Sequence, residues 1–152
     1  MAKAFAFIVD GKPQPKQRAR ATRKKAGGLS FRTPNETKVY ERKVMLNARR
    51  AMPAGWPTDA HYRVSCVFYW PDRHGRDVDN ALKAIKDGLN KCAWNDDRQA
   101  KLAHACAPVD PVSKERSRAL VIIEQVSKNE ILEEICGLEE QAARLGARCF
   151  LK

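Results

Sequence analysis

YRVSCVFYWPDRHGRDVDNALKAIKDGLNKC, residues Tyr62 to Cys92, changes its periodicity partway along. From Tyr62 to Trp70 apolar and polar residues alternate, with Val64, Cys66 and Phe68 on one face, which predicts a half-buried strand. A basic turn, Asp72-Arg73-His74-Gly75-Arg76, ends it. From Val78 to Cys92 the apolar residues Leu82, Ile85 and Leu89 recur at helical spacing, and Asp79 or Asn80 offers a cap. Strand, turn and helix in that order predict an α/β (α+β) domain: one mixed β-sheet flanked by helices.

The flanking sequence extends this pattern. Ala4 to Val9 predicts a strand ending at the turn Asp10-Gly11. Lys12-Pro13-Gln14-Pro15-Lys16 is extended, because its prolines exclude a helix. Gln17 to Thr33 is rich in Arg and Lys and broken by Gly27-Gly28, which predicts a basic hairpin arm over about residues 12–33. Pro34 suits a helix start. The helix runs to Ala51, with Val39, Met45, Leu46 and Ala48 inward and Arg42, Lys43, Arg49 and Arg50 outward. A Pro/Gly loop spans Met52 to Asp59. Leu102 to Ala107 is left unassigned, and Arg118 to Val126 reads as a strand. The tail differs in character: Ser127-Lys128-Asn129-Glu130 has the form of a capping box and Gly146 suits a C-cap. Between them Ile131, Ile135, Leu138, Ala142 and Leu145 form a narrow apolar seam. This helix either docks a partner, a second copy included, or folds back on its own core.

Charge is concentrated at one end. The protein has 152 residues and formal charge +11, and residues 1–50 supply all of that excess, with 14 lysines and arginines against Asp10, Glu36 and Glu41. Such a surface suits a polyanion. No apolar run reaches the ~18 residues of a membrane span, and no signal peptide is recognisable, so the expected location is the cytoplasm. Five cysteines, odd in number and without a C-x-x-C pair, read as reduced and mostly buried thiols. His61, His74 and His104 have no zinc-ligand spacing.

Acids clustered within so basic a chain need a reason. Asp77 and Asp79 share a side if the chain is extended there. Lys83 lies four residues beyond Asp79 on the same helical face, and Asp87 four beyond that, placed to hold the lysine. Asp96 and Asp97 sit in a loop able to return to the same point. Carboxylates converging this way suit Mg²⁺, which takes oxygen ligands and substrate phosphates and can activate water for displacement at phosphorus. Each residue also has an ordinary reading. Asp79 can be a cap, Asp96-Asp97 a turn, Lys83 and Asp87 a surface pair, and Trp94 a core anchor.

The motifs Gly11, Pro13, Pro15, Lys16, Arg18, Arg20, then Arg32-Thr33-Pro34, Tyr40-Glu41, Arg76-Asp77-Val78-Asp79-Asn80, Lys83-Ala84, Asp87-Gly88-Leu89 and Trp94-Asn95-Asp96-Asp97-Arg98-Gln99 together resemble the RusA family of Holliday junction resolvases. The resemblance spans about residues 5–126, implying a nuclease domain over 1–126 and a C-terminal helical extension over 127–152 that the family core lacks. It implies a homodimeric endodeoxyribonuclease, common in phages and prophages. Such an enzyme resolves four-way junctions by paired symmetric nicks with Mg²⁺, for which Mn²⁺ substitutes. The implied catalytic residues are Asp77, Asp79, Lys83 and Asp97. The three aspartates are the metal ligands, Asp96 is a secondary one, and Asn80 and Asp87 support them. Lys12, Lys16, Arg18, Arg20, Arg23, Lys24, Lys25, Arg32, Arg73 and Arg76 are the expected DNA contacts, to phosphates rather than bases. The alternatives are a non-catalytic branched-DNA-binding protein, a metal-dependent nuclease for forks, flaps or other nucleic acid, and an adaptor built on the C-terminal helix.

Overall fold

Alternation and helical spacing become nine principal elements. The computed structural model describes residues 4–17, 20–23, 25–32, 34–74 and 76–146, the side chains of Arg20, Thr22, Phe31 and Arg32 excepted. The elements are β1 (Ala4–Asp10), β2 (Arg20–Arg23), β3 (Leu29–Arg32), α1 (Asn35–Ala51), β4 (His61–Tyr69), α2 (Val78–Leu89), β5 (Ala100–Cys106), β6 (Arg118–Val126) and α3 (Lys128–Arg144). Single 3-10 turns precede β5 and β6.

Four strands form one mixed sheet in the order β1-β6-β4-β5. β6 is central and antiparallel to both β1 and β4, while β5 runs parallel to β4. A parallel neighbour requires a crossover, and α2 supplies it. The unassigned segment 102–107 proves to be most of β5. β2 and β3 make the separate hairpin that the glycines predicted, with Gly27 and Gly28 both at positive φ in its turn.

One sheet face is dry. Phe5, Phe7 and Val9 of β1, Tyr62, Val64, Cys66 and Phe68 of β4, and Ala119, Val121 and Ile123 of β6 are buried against α1 and α2. The opposite face is half-exposed, with Ile8, Tyr69 and Leu120 around a shallow hollow. α2 contributes Ala81, Ala84, Ile85 and Leu89 to the core.

α1 buries Thr37, Tyr40, Val44 and Ala48; of the residues expected inward, Ala48 is buried and Met45 packs partly buried against the core. Val39 is 60% exposed and Leu46 43%, so those two inward assignments were wrong. The buried stripe admits a Thr and a Tyr, which hydropathy alone passes over. The outward Arg42, Lys43, Arg49 and Arg50 are indeed exposed.

α1 and α2 meet at Gly88. A Cβ there would lie 2.7 Å from the Glu41 carbonyl oxygen and 2.9 Å from Val44 Cβ, so only glycine permits this approach.

α3 begins with the predicted capping box, Ser127 Oγ accepting from Glu130 N and Glu130 Oε2 accepting from Ser127 N. Gly146 follows its end at φ +87°. None of its residues is buried, so the fold-back onto the core does not occur. It touches the sheet through Glu134, which bonds Arg63 at 2.9 Å and His104 at 2.9 Å. Leu132, Ile135, Leu138 and Leu145 stay exposed. Cys66 and Cys92 are buried free thiols, but Cys106 and Cys136 are exposed free thiols, which corrects the expectation of mostly buried cysteines. Cys149 lies outside the described residues.

Candidate active site

The candidate residues lie along the outer face of α2 and in the turn that leads into β5. Asp77 is the N-cap of α2. Its Oδ1 accepts from Asn80 N at 2.9 Å and its Oδ2 from Asn80 Nδ2 at 2.5 Å. Asp79 and Asn80 were the residues expected to cap, and neither does. Asp79 already belongs to the first helical turn, so the argument that Asp77 and Asp79 share a side by strand alternation fails. The chain turns helical at Val78, where apolar periodicity begins.

Helical spacing now sets the geometry. Asp79, Lys83 and Lys86 recur at i, i+4 and i+7, which stacks them on one face. With Leu82, Asp87 and Asp97 they line an open hollow of about 330 Å³. Lys83 is exposed and forms no ion pair with any described carboxylate. Its ammonium is therefore available to an anion in the hollow. Lys86 was absent from the sequence prediction, although its spacing from Asp79 and Lys83 signals it.

Asp97 is held from behind. Trp94 is fully buried, and its indole N–H donates to Asp97 Oδ1 at 3.0 Å. The core anchor read from sequence thus also holds one oxygen of a carboxylate that lines the hollow. Asp96 has a different task. It caps the 3-10 turn, accepting from Arg98 N at 2.8 Å, while Gln99 Oε1 accepts from Asp96 N and Asn95 N. Gln99 Nε2 then donates to the carbonyls of Thr58 and Ala60, tying the Asp97 turn to the loop before β4.

Asp87 does not hold Lys83. It pairs with Lys16 Nζ at 2.7 Å, and the same ammonium meets Glu41 at 2.5 Å. Burial alone would lower the lysine's pKa, but the hydrogen bonds to Asp87 and Glu41 more than offset it, and the net shift is upward. Lys16 N also donates to Asn80 O at 2.9 Å. Trp70 Nε1 donates to Pro13 O at 2.9 Å. The root of the basic arm is thereby fastened to α1, to α2 and to the end of β4.

The expected DNA contacts divide into three groups. Arg23 and Lys25, on the hairpin, are exposed and form no ion pair with described residues. Lys12, Lys16, Arg73 and Arg76 are engaged within the protein. Lys12 pairs with Asp72 at 2.7 Å, and that hydrogen bond holds the Asp72 carboxyl below the usual carboxylate range. Arg73 pairs loosely with Asp110. Arg76 donates to the carbonyls of Asp72 and Val109, so it braces two loops. Arg18 and Lys24, and the side chains of Arg20 and Arg32, lie outside the described residues.

A divalent cation would find oxygen donors here, and their number is the test. Among the described residues no three His, Cys, Asp or Glu side chains are gathered closely enough to hold a metal. Asp79, Asp87 and Asp97 line the hollow, but Asp87 is paired with Lys16, and Asp77 is engaged with Asn80. Two carboxylates nevertheless suit Mg²⁺, which is commonly bound through one or two carboxylates, waters and substrate phosphates. The donor set fits that ion, with Asp77 outside the lining.

Comparison with known families finds one match: the model described as Endodeoxyribonuclease RusA covers residues 10–124, a span that takes in the arm, α1, α2 and the Asp97 turn. No curated protein matches the chain. Among the described residues no helix is long and apolar enough to cross a membrane.

Proposed function

The chain belongs to the RusA endodeoxyribonuclease family, and on that premise we propose that it resolves four-way DNA junctions by paired symmetric nicks, with Mg²⁺ as its cofactor and a homodimer as its working form. The observation that carries the proposal is the hollow where Asp79 and Asp97 stand beside an unpaired Lys83. Asp79 and Asp97 would hold the ion. Asp77 enters the ligand set on family resemblance alone. When bound, Mg²⁺ would supply Lewis acidity, offsetting charge on a phosphodiester oxygen and easing the loss of a proton from the attacking water.

The chain's own residues perform the remaining tasks. Lys83 and Lys86 draw a phosphate into the hollow and offset charge that builds on its oxygens in the transition state. Trp94 keeps one Asp97 oxygen occupied, which holds the carboxylate at the hollow in one orientation. The Lys16 clamp sets the arm beside α2, and Arg23 and Lys25 hold the DNA through phosphates. Two opposed cuts in a four-way junction need two sites related by a two-fold axis, which an isologous dimer supplies.

The experiment is a nicking assay on a synthetic mobile junction with Mg²⁺, beside linear duplex and fork controls. Wild-type protein should give symmetric nicks confined to the junction. Asp79→Asn should lose cleavage while binding the junction as tightly or more tightly, because it removes a ligand and a negative charge facing DNA. An Asp79→Asn protein cutting at the wild-type rate would sink the assignment, and equal cutting of forks or duplex would discard the junction preference.

A further inference from the structure

The hairpin arm leaves part of the cationic excess unexplained. α1 carries Lys38, Arg42 and Arg49 on its exposed surface. Their spacings of four and seven residues place them on one side of the helix, in a row about 16 Å long. None forms an ion pair with a described carboxylate. Three cations without carboxylate partners repel one another, so ion pairing within the protein does not account for the row.

The row's position gives it a use. Glu41 and Met45 occupy the side of α1 that abuts α2: the Glu41 carbonyl packs on Gly88, and Cys92 Sγ lies 3.9 Å from the Met45 carbonyl. By helical rotation Lys38, Arg42 and Arg49 lie immediately outward of that side. The row therefore runs beside the α1–α2 seam, across which stand Asp87 and the hollow with Lys83. Its far end is defined by a contact. The Arg49 guanidinium sits against Cys92, whose thiol is raised by burial and partly lowered again by that charge. Arg49 and Lys91 then border a second, open hollow of about 400 Å³, lined also by Pro53, Gly55 and Pro57.

We propose that the Lys38–Arg42–Arg49 row of α1, ending between Arg49 and Lys91, is a track for the phosphate backbone of a DNA arm leaving the active-site hollow. This rests on the nuclease reading and extends it, because it places one arm over α1 on the opposite side of the seam from Lys83. Phosphates follow one another closely enough along a strand for a row of this length to face about three of them, one for each cation. The contact is sequence-independent.

The test is the salt dependence of binding to a synthetic four-way junction, measured in EDTA so that no strand is cut. The triple variant Lys38→Ala/Arg42→Ala/Arg49→Ala should weaken binding at least tenfold near 0.1 M salt. It should also flatten the slope of log K against log salt by two to three, at about 0.9 for each lost phosphate contact. The charge-keeping variant Lys38→Arg/Arg42→Lys/Arg49→Lys should keep the wild-type slope, which separates lost charge from damaged folding. Lys114→Ala/Lys128→Ala/Arg144→Ala removes the same charge elsewhere and should leave the slope within one of wild type. A wild-type slope in the α1 alanine triple, or an equal loss in the distant triple, overturns the track. Either result leaves the nuclease reading standing if Asp79→Asn still binds the junction without cutting it.

Discussion

Trp94 serves the core and the site together. Its ring is fully buried, and its one polar atom holds Asp97. A change that keeps the ring and deletes the N–H separates these roles. Trp94→Phe should lower the nicking rate about 10- to 100-fold, the usual cost of removing a group that orients a ligand. Mg²⁺ titration should shift its midpoint to higher concentration. A wild-type Mg²⁺ response in a Trp94→Phe protein that cuts normally would show that Asp97 needs no such orientation. Lys16 belongs to the same scale: a residue read from its charge as a phosphate contact has its ammonium committed to Glu41 and Asp87. Spacing along one helix could nominate Lys83 as the partner of Asp87 but could not reveal a competitor arriving from the arm.

At the scale of elements, the α1–α2 contact depends on a missing side chain. Alanine in place of glycine normally stabilises a helix interior by about 1 kcal/mol. At Gly88 the new Cβ would strike a backbone carbonyl, which cannot rotate away. Gly88→Ala should therefore destabilise the domain by about 1–3 kcal/mol, the range for overpacking, read as a lower urea midpoint with unchanged slope. An increase in stability would mean that the helices separate freely.

α3 presents the opposite case, an element stabilised mainly by its own ends. The Ser127 backbone N–H holds the Glu130 carboxyl below its ordinary range. A depressed folded-state pKa contributes stability above the unfolded value of 4.5 and loses it as pH falls through the folded one. Acidification below pH 4.5 should thus fray α3 before the sheet melts, seen as loss of far-UV helix signal while tryptophan fluorescence holds. Ser127→Ala should produce the same fraying at neutral pH, at a cost of about 1 kcal/mol. Simultaneous loss of both signals would show that α3 and the sheet unfold as one unit.

The whole molecule has two unlike surfaces. Helices cover one sheet face, and the other remains half-open beside α3 with its exposed Leu132, Ile135 and Leu138. The homodimer proposed for function requires a solution mass near twice 17.2 kDa. Light scattering at micromolar concentration should find it, with junction nicks paired within one binding event. A monomer that nicks each strand independently would refute paired cleavage.

Much of the fold was legible in the sequence because period-two and period-3.6 patterns are local. β1, β4, β6, both capping signals of α3 and the glycine turn of the arm all follow from neighbours within a few residues. β5 was not legible. Its Lys101 and His104 interrupt an apolar pattern, and its place beside β4 comes from the crossover through α2. α1 existed as read, but two apolar residues thought to face inward are exposed, because the surface it packs on was unknown.

The site divides in the same way. By itself the sequence determined the chemistry: which carboxylates and cations exist, that Asp79 and Lys83 share a helical face, and that the positive charge lies in the first third of the chain. Only the tertiary structure decided the partners. It brought Asp97 to the α2 face from eighteen residues beyond Asp79. It turned Asp77 into a cap and Asp96 into a turn brace, and it gave Asp87 to Lys16. A carboxylate's identity and helical phase are carried by its immediate neighbours, whereas the group that meets it depends on how remote segments pack.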